Sequence, residues 1–193
     1  EKFTLDKVSK NPAVFDITKL QWMNGVYIRD MELDRLYRVV LPQWQRAGFL
    51  PEQPTAEQEQ RAQAILKELQ ARVKLLTEFD EAAYYFFVDE LRYNEKAVNK
   101  VLFKDGIEEI LSYLLNELLT VKEFNQANLE PIFARAQEKF DRKLGEIMQP
   151  VRVAVTGTNV SPGLYEVLEL VGRAKSCQRI KDAVEMIKSN TQE

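Results

Sequence analysis

Gln149-Pro150-Val151-Arg152-Val153-Ala154-Val155-Thr156-Gly157 is the stretch on which the fold class turns. Its apolar residues alternate, and Val151 to Val155 taken alone would pass as a β-strand. No other segment offers a hairpin partner, and a lone strand leaves its backbone N–H and C=O groups unpaired. The stretch is therefore read as a buried helix, with Pro150 near its first turn and Gly157 as its C-cap. Once it is helical, the chain reads as all-α.

Working outward, the remaining periodic segments repeat every three to four residues. Gly106 to Val121 carries Ile107, Ile110, Leu111, Leu114, Leu115, Leu118 and Leu119, and a helix so apolar belongs at the centre of its subdomain. Thr55-Ala56-Glu57-Gln58 has the form of a capping box, a hydroxyl at the N-cap and Gln three residues on. The helix it opens lines up Ala62, Ile65, Leu66, Leu69, Val73 and Leu76. Before it, Asp16 to about Met31 is a helix interrupted near Asn24-Gly25, and Glu32 to Ala47 is another, with Leu33, Leu36, Val39 and Val40 on one face and a kink or break at Pro42. Glu78 to Phe87 is a short aromatic helix. Asn94, Asn128 and Ser176 are read as N-caps of later helices. Asp89 to Tyr93 reads as a linker, which divides the chain into two small helical-bundle subdomains in tandem, 1–92 and 93–193.

Composition removes several functions. The chain of 193 residues has no histidine, and so lacks the commonest general base and metal ligand. Cys177 is its single cysteine, which forbids an internal disulfide and reads as a passive thiol. No stretch approaches the roughly 18–20 apolar residues of a membrane span. Glu1-Lys2-Phe3-Thr4-Leu5-Asp6 has no apolar signal region and reads as the start of a piece cut from mid-protein. The net charge of −3 does not announce a phosphate binder, but phosphates respond to local clustering on one face rather than to the total.

Two long stretches carry more than periodicity. The first is Val14-Phe15-Asp16 followed by Lys19-Leu20-Gln21-Trp22-Met23-Asn24-Gly25-Val26-Tyr27-Ile28-Arg29. The second runs from Lys143-Leu144-Gly145 through Gln149-Pro150-Val151-Arg152-Val153-Ala154-Val155-Thr156-Gly157 to Ser161-Pro162-Gly163-Leu164-Tyr165-Glu166. In order and separation they resemble the C-terminal half of bacterial glutamyl-tRNA synthetases. The resemblance, with similarity around Leu75 to Phe87, covers essentially the whole chain. It implies an all-helical, monomeric, cytoplasmic module that grips the anticodon stem-loop of glutamate tRNA and contacts no membrane. It also implies a catalytic domain in cis that lies outside this chain and uses ATP and magnesium. The family's His-Ile-Gly-His and Lys-Met-Ser-Lys type signatures do not occur here, so the piece is expected to hold no cofactor and to catalyse nothing by itself.

The resemblance also implies site residues. Arg72 matches the position that faces the third anticodon base, where glutamate tRNA has C and glutamine tRNA has G. A guanidinium fork suits the O2 and N3 acceptors of cytosine and meets N–H donors on guanine. Arg152 matches the arginine of the second subdomain that contacts the anticodon. It is the only charge between Glu146 and Glu166, and so isolated a charge calls for a buried partner or a ligand. Ser161 and Leu164 match a loop that holds the first two anticodon bases, Ser161 by its hydroxyl and Leu164 by supporting a base face. Lys139, Arg142, Lys143, Arg173, Lys175, Arg179 and Lys181 are candidate phosphate contacts, each more often an ordinary surface charge. Trp22, Tyr27, Trp44 and the run Tyr84 to Phe87 are read as core. The competing reading is a helical protein-interaction module without nucleic acid. It would expose an apolar groove, whereas an RNA binder would bring Arg72 and Arg152 onto one positive face.

Overall fold

The computed structural model describes residues 15–191. These form ten helices and no strand: α1 (Ile17–Arg29), α2 (Leu33–Arg46), α3 (Ala56–Gln70), α4 (Glu78–Phe87), α5 (Glu95–Val101), α6 (Ile107–Thr120), α7 (Gln126–Phe140), α8 (Leu144–Thr156), α9 (Leu164–Val171) and α10 (Arg173–Thr191). The all-α reading holds. The ambiguous Val151–Val155 run lies inside α8, and Gly157 ends that helix in the left-handed region at φ 74°. Val14 of the first quoted stretch, and the N-terminal hexapeptide, lie outside the described residues.

Helices α2, α3 and α4 pack on one another, as do α6, α7, α8 and α10. Helix α9 bridges the two sets by touching α3, α4, α7 and α10. Buried apolar side chains from Ile28 to Ile187 make one cluster. Linker residues 92–94 are strapped onto the end of α8: the Asn94 N–H donates to the Gly157 carbonyl at 2.8 Å, and the Tyr93 hydroxyl donates to the Ala154 carbonyl at 3.0 Å. Gly157 is required twice over there. Its φ is positive, and a Cβ would stand 2.4 Å from the Arg92 carbonyl oxygen.

Several local expectations need correction. Helix α1 runs unbroken through Asn24-Gly25. Pro42 sits within α2 rather than ending it, and Val39 is exposed while Leu36 and Val40 are buried. Helix α3 stops at Gln70. The stripe continues past it only because Val73 is buried from the turn that follows. Thr55 and Gln58 do form the capping box. The cap of α7 is Asn125, whose side chain accepts the Asn128 N–H at 3.1 Å. Helix α10 already begins at Arg173, so Ser176 is inside it and not its cap. Pro150 stands in mid-α8 rather than near its start. Trp44 is fully buried, but Trp22 and Tyr27 are 59% and 69% exposed. They belong to a helix that only Gly25 and Ile28 anchor by burial, so their aromatic character said nothing about where they sit.

Candidate anticodon interface

A cleft of about 710 Å³ lies where the two helix sets meet. One wall comes from the end of α3 and from α4, with Arg72, Glu81, Tyr84 and Tyr85; the other comes from Arg92 and the 156–162 loop. Each wall is built by identifiable contacts.

Arg72 follows α3 directly, its N–H bonded to the Leu69 carbonyl at 2.8 Å. The turn that carries it is pinned from three sides. The Glu78 carboxylate accepts the Lys74 N–H at 2.7 Å and the Leu75 N–H at 3.3 Å. Gln43 donates to the Leu76 carbonyl at 2.9 Å, and the Asn24 side-chain amide donates to the Lys74 carbonyl. Gly25 packs α1 against that same backbone, a Cβ there standing in ordinary contact at 3.5 Å from the Lys74 Cα. The Asn24-Gly25 pair, which reads in the sequence as an interruption, thus cradles the turn two residues beyond Arg72. The Arg72 side chain is exposed and forms no hydrogen bond or ion pair among the described residues.

On the opposite wall Arg152, half-buried on α8, donates through Nη1 to the Ser161 hydroxyl and to the Pro162 carbonyl, the latter at 2.6 Å. Its Nε is buried with no acceptor among the described residues. Burial holds its pKa below the usual arginine value, and Arg72 pushes in the same direction while Tyr85 opposes it. The Tyr85 phenol is raised above its usual value by burial, and both Arg152 and Arg72 pull it back. One buried tyrosine therefore feels both arginines, which come from different helix sets. Arg92 adds a third cation, its guanidinium 4.0 Å above the Tyr84 ring, within cation–π range.

Of the residues singled out in sequence, Arg72 and Ser161 line the cleft, and Arg152 reaches it through its bond to Ser161. Leu164 is 1% exposed at the first position of α9, packed beneath the loop rather than facing the cleft. Tyr85, read as core, is buried as expected and also borders the cleft, whereas Arg92, in a linker without a pattern, was missed.

The other cations divide. Arg179 is buried and donates to the carbonyls of Tyr85, Val155 and Val88 at 2.9, 2.8 and 2.7 Å. Lys175 binds Asp89 and the Val88 carbonyl, and Arg173 donates to the Lys122 carbonyl. These three are tied within the protein rather than presented to a phosphate. The Cys177 thiol is buried and burial raises its pKa, in keeping with a passive role.

The family described as an anticodon binding domain matches residues 35–184. The chain belongs to that anticodon-binding family. The glutamate–tRNA ligase of Moorella thermoacetica is 35% identical over 190 residues, 98% of this chain and 39% of that protein. The corresponding ligase of Bacillus subtilis is 31% identical over 94% of this chain and 38% of its own length. The crystal structure of a glutamate tRNA ligase from Elizabethkingia meningosepticum superposes with a TM-score of 0.80 at 20% identity, covering 96% of this chain and 35% of that one. This family member thus spans under two-fifths of the length of the ligases it matches. No described helix is long and apolar enough to cross a membrane.

Proposed function

We propose that this chain reads the anticodon stem-loop of glutamate tRNA, as the C-terminal part of a glutamyl-tRNA synthetase whose catalytic domain lies in cis. The observation that carries the proposal is the cleft between the helix sets, lined by Arg72 on one wall and on the other by Ser161, which Arg152 holds by a hydrogen bond. Glu78 in the same lining is spent on the Lys74 and Leu75 N–H groups, whereas Arg72 has no partner among the described residues, and a base with acceptor edges, or a phosphate, matches its free donors. Arg72, with no internal partner among the described residues, offers its donor fork to the third anticodon base and favours C over G. Arg152 fixes Ser161 and the Pro162 carbonyl, so the loop presents a hydroxyl and backbone in a set position to the first two bases. Leu164 supports the loop from below.

In this proposal 1–92 and 93–193 are the two subdomains, and the cleft is their junction. The molecule acts as a monomer in the cytoplasm. In this reading ATP and magnesium belong to the catalytic part, with the His-Ile-Gly-His and Lys-Met-Ser-Lys type signatures that this chain lacks. Exposed Phe15, Ile17, Leu20, Trp22, Met23 and Tyr27 on and beside α1 support packing of that catalytic part against α1. The interaction-module reading accounts for neither the unpaired Arg72 nor the Arg152–Ser161 contact on the walls of the cleft.

The test is a binding titration of the chain against the glutamate anticodon hairpin and the same hairpin with its third anticodon base changed from C to G. The wild type should prefer C by about tenfold to a hundredfold, the value of one good bidentate base contact, and Arg72→Ala should remove that preference. Equal binding of both hairpins by the wild type would take the discriminating role from Arg72. Absence of binding at low salt would defeat the anticodon reading.

A further inference from the structure

A second cavity, of about 460 Å³, opens on the far side of the loop that borders the anticodon cleft. Thr158 and Val160 line the first cavity and Asn159, between them, lines the second. One loop thus separates the two. The second cavity presents Lys100, Lys104 and Arg142, with Glu146 as the only acid in its lining.

The charges there are not equally committed. The Glu146 carboxylate already accepts the Lys143 N–H at 3.0 Å, and its other oxygen is 3.8 Å from Arg142. Arg142 lies across Gly106, whose missing Cβ would stand 3.6 Å from its Nη2. It therefore sits at the N-terminus of α6, the positive end of a 14-residue helix with no side-chain cap. The first-turn acids Glu108 and Glu109 offset part of that charge, but Glu108 is 3.4 Å from Lys188. Lys100 and Lys104 are exposed and have no carboxylate partner among the described residues. Arg142 also reaches the Asp105 carbonyl at 3.5 Å, whereas Lys100 and Lys104 line the same recess with uncommitted charges, and phosphate oxygens match both those charges and the N–H donors at the start of α6.

We infer that this cavity binds backbone phosphates of the RNA strand as it leaves the anticodon cleft across the 157–161 loop. The site rests on the anticodon reading given above and adds to it a grip that carries no sequence information. Bases splayed into the first cavity leave their sugar–phosphate chain outside it, and the second cavity is the adjoining basic recess.

The experiment is hairpin binding by the wild-type chain and by Lys100→Ala/Lys104→Ala, measured across salt concentrations with the C and G hairpins. Two exposed, unpaired lysines leave the fold intact, which a thermal melt checks. Loss of two single-strand phosphate contacts should reduce the log Kd versus log salt slope by about 1.4. The ratio of variant to wild-type Kd should then be about sevenfold larger at about 50 mM than at about 200 mM salt. The loss should be equal for both hairpins, with the C preference preserved, and Lys100→Glu/Lys104→Glu should bind more weakly still. A double variant that matches the wild type in affinity and slope overturns the phosphate site and leaves the anticodon reading standing. A changed C-over-G preference also overturns it, because phosphate contacts do not discriminate bases. A wild type that binds neither hairpin removes both.

Discussion

Arg179→Met tests whether the cleft owes its shape to buried cation–carbonyl contacts. Arg179 projects from α10 and is 3% exposed. It ties the Tyr85 and Val88 carbonyls at the end of α4 to the Val155 carbonyl at the end of α8. Arg61 from α3 adds bonds to the Phe86 carbonyl at 2.7 Å and the Leu170 carbonyl at 2.9 Å. Two guanidiniums thus serve the carbonyl ends of three helices, where cations are favoured and the last C=O groups lack helical partners. Methionine keeps much of the Arg179 stem but removes every donor. The Val88 carbonyl retains Lys175 at 3.0 Å, which leaves the Tyr85 and Val155 carbonyls stranded. At about 1–3 kcal/mol for each stranded group, less the desolvation no longer spent on the guanidinium, the loss comes to about 2–4 kcal/mol. With a urea slope of about 3 kcal/mol per molar, the midpoint falls by about 1 M. Arg179→Lys, able to reach only part of the carbonyl set, should lie between the two. Because the contacts join the two cleft walls, Arg179→Met should also weaken the C-over-G preference of the folded protein. A variant within about 0.5 kcal/mol of wild type would refute the reasoning. It would mean that the cost of burying the guanidinium cancels its bonds.

Two further outcomes are expected. Asn24→Ala removes the side-chain bond to the Lys74 carbonyl; it should cost about 1 kcal/mol of stability and lower the C-over-G preference several-fold, while leaving the salt slope of hairpin binding unchanged, as measured in the same titrations. Acrylamide quenching should resolve two tryptophan populations, an accessible Trp22 and a protected Trp44, with Trp22→Phe leaving only the protected one; protection of both in the isolated chain would show that something already covers α1.

The sequence disclosed most of the helices and little of what holds them at their angles. Periodicity and capping chemistry are local, so Thr55-Gln58, Asn94 and Gly157 were readable as caps, and the aromatic helix was readable over its full span. The end of α3 was not. Val73 keeps the apolar rhythm, and the turn is set by Gln43, Asn24 and Glu78, three residues that no local pattern connects. The same limit applies to charge. Arg72, Arg179 and Arg173 look alike in sequence, yet one faces the cleft unpaired, one is buried among carbonyls, and one is tied to a neighbouring loop. What separates them is whether backbone acceptors lie within reach, which tertiary packing decides. Arg152 stood out because it is the only charge between Glu146 and Glu166. That isolation signalled burial: the half-buried guanidinium spends Nη1 on Ser161 and the Pro162 carbonyl, and its buried Nε has no acceptor among the described residues. A cation in an apolar run is thus the stronger pointer to a site, and a cation in a charged helix needs the structure before it can be given any role.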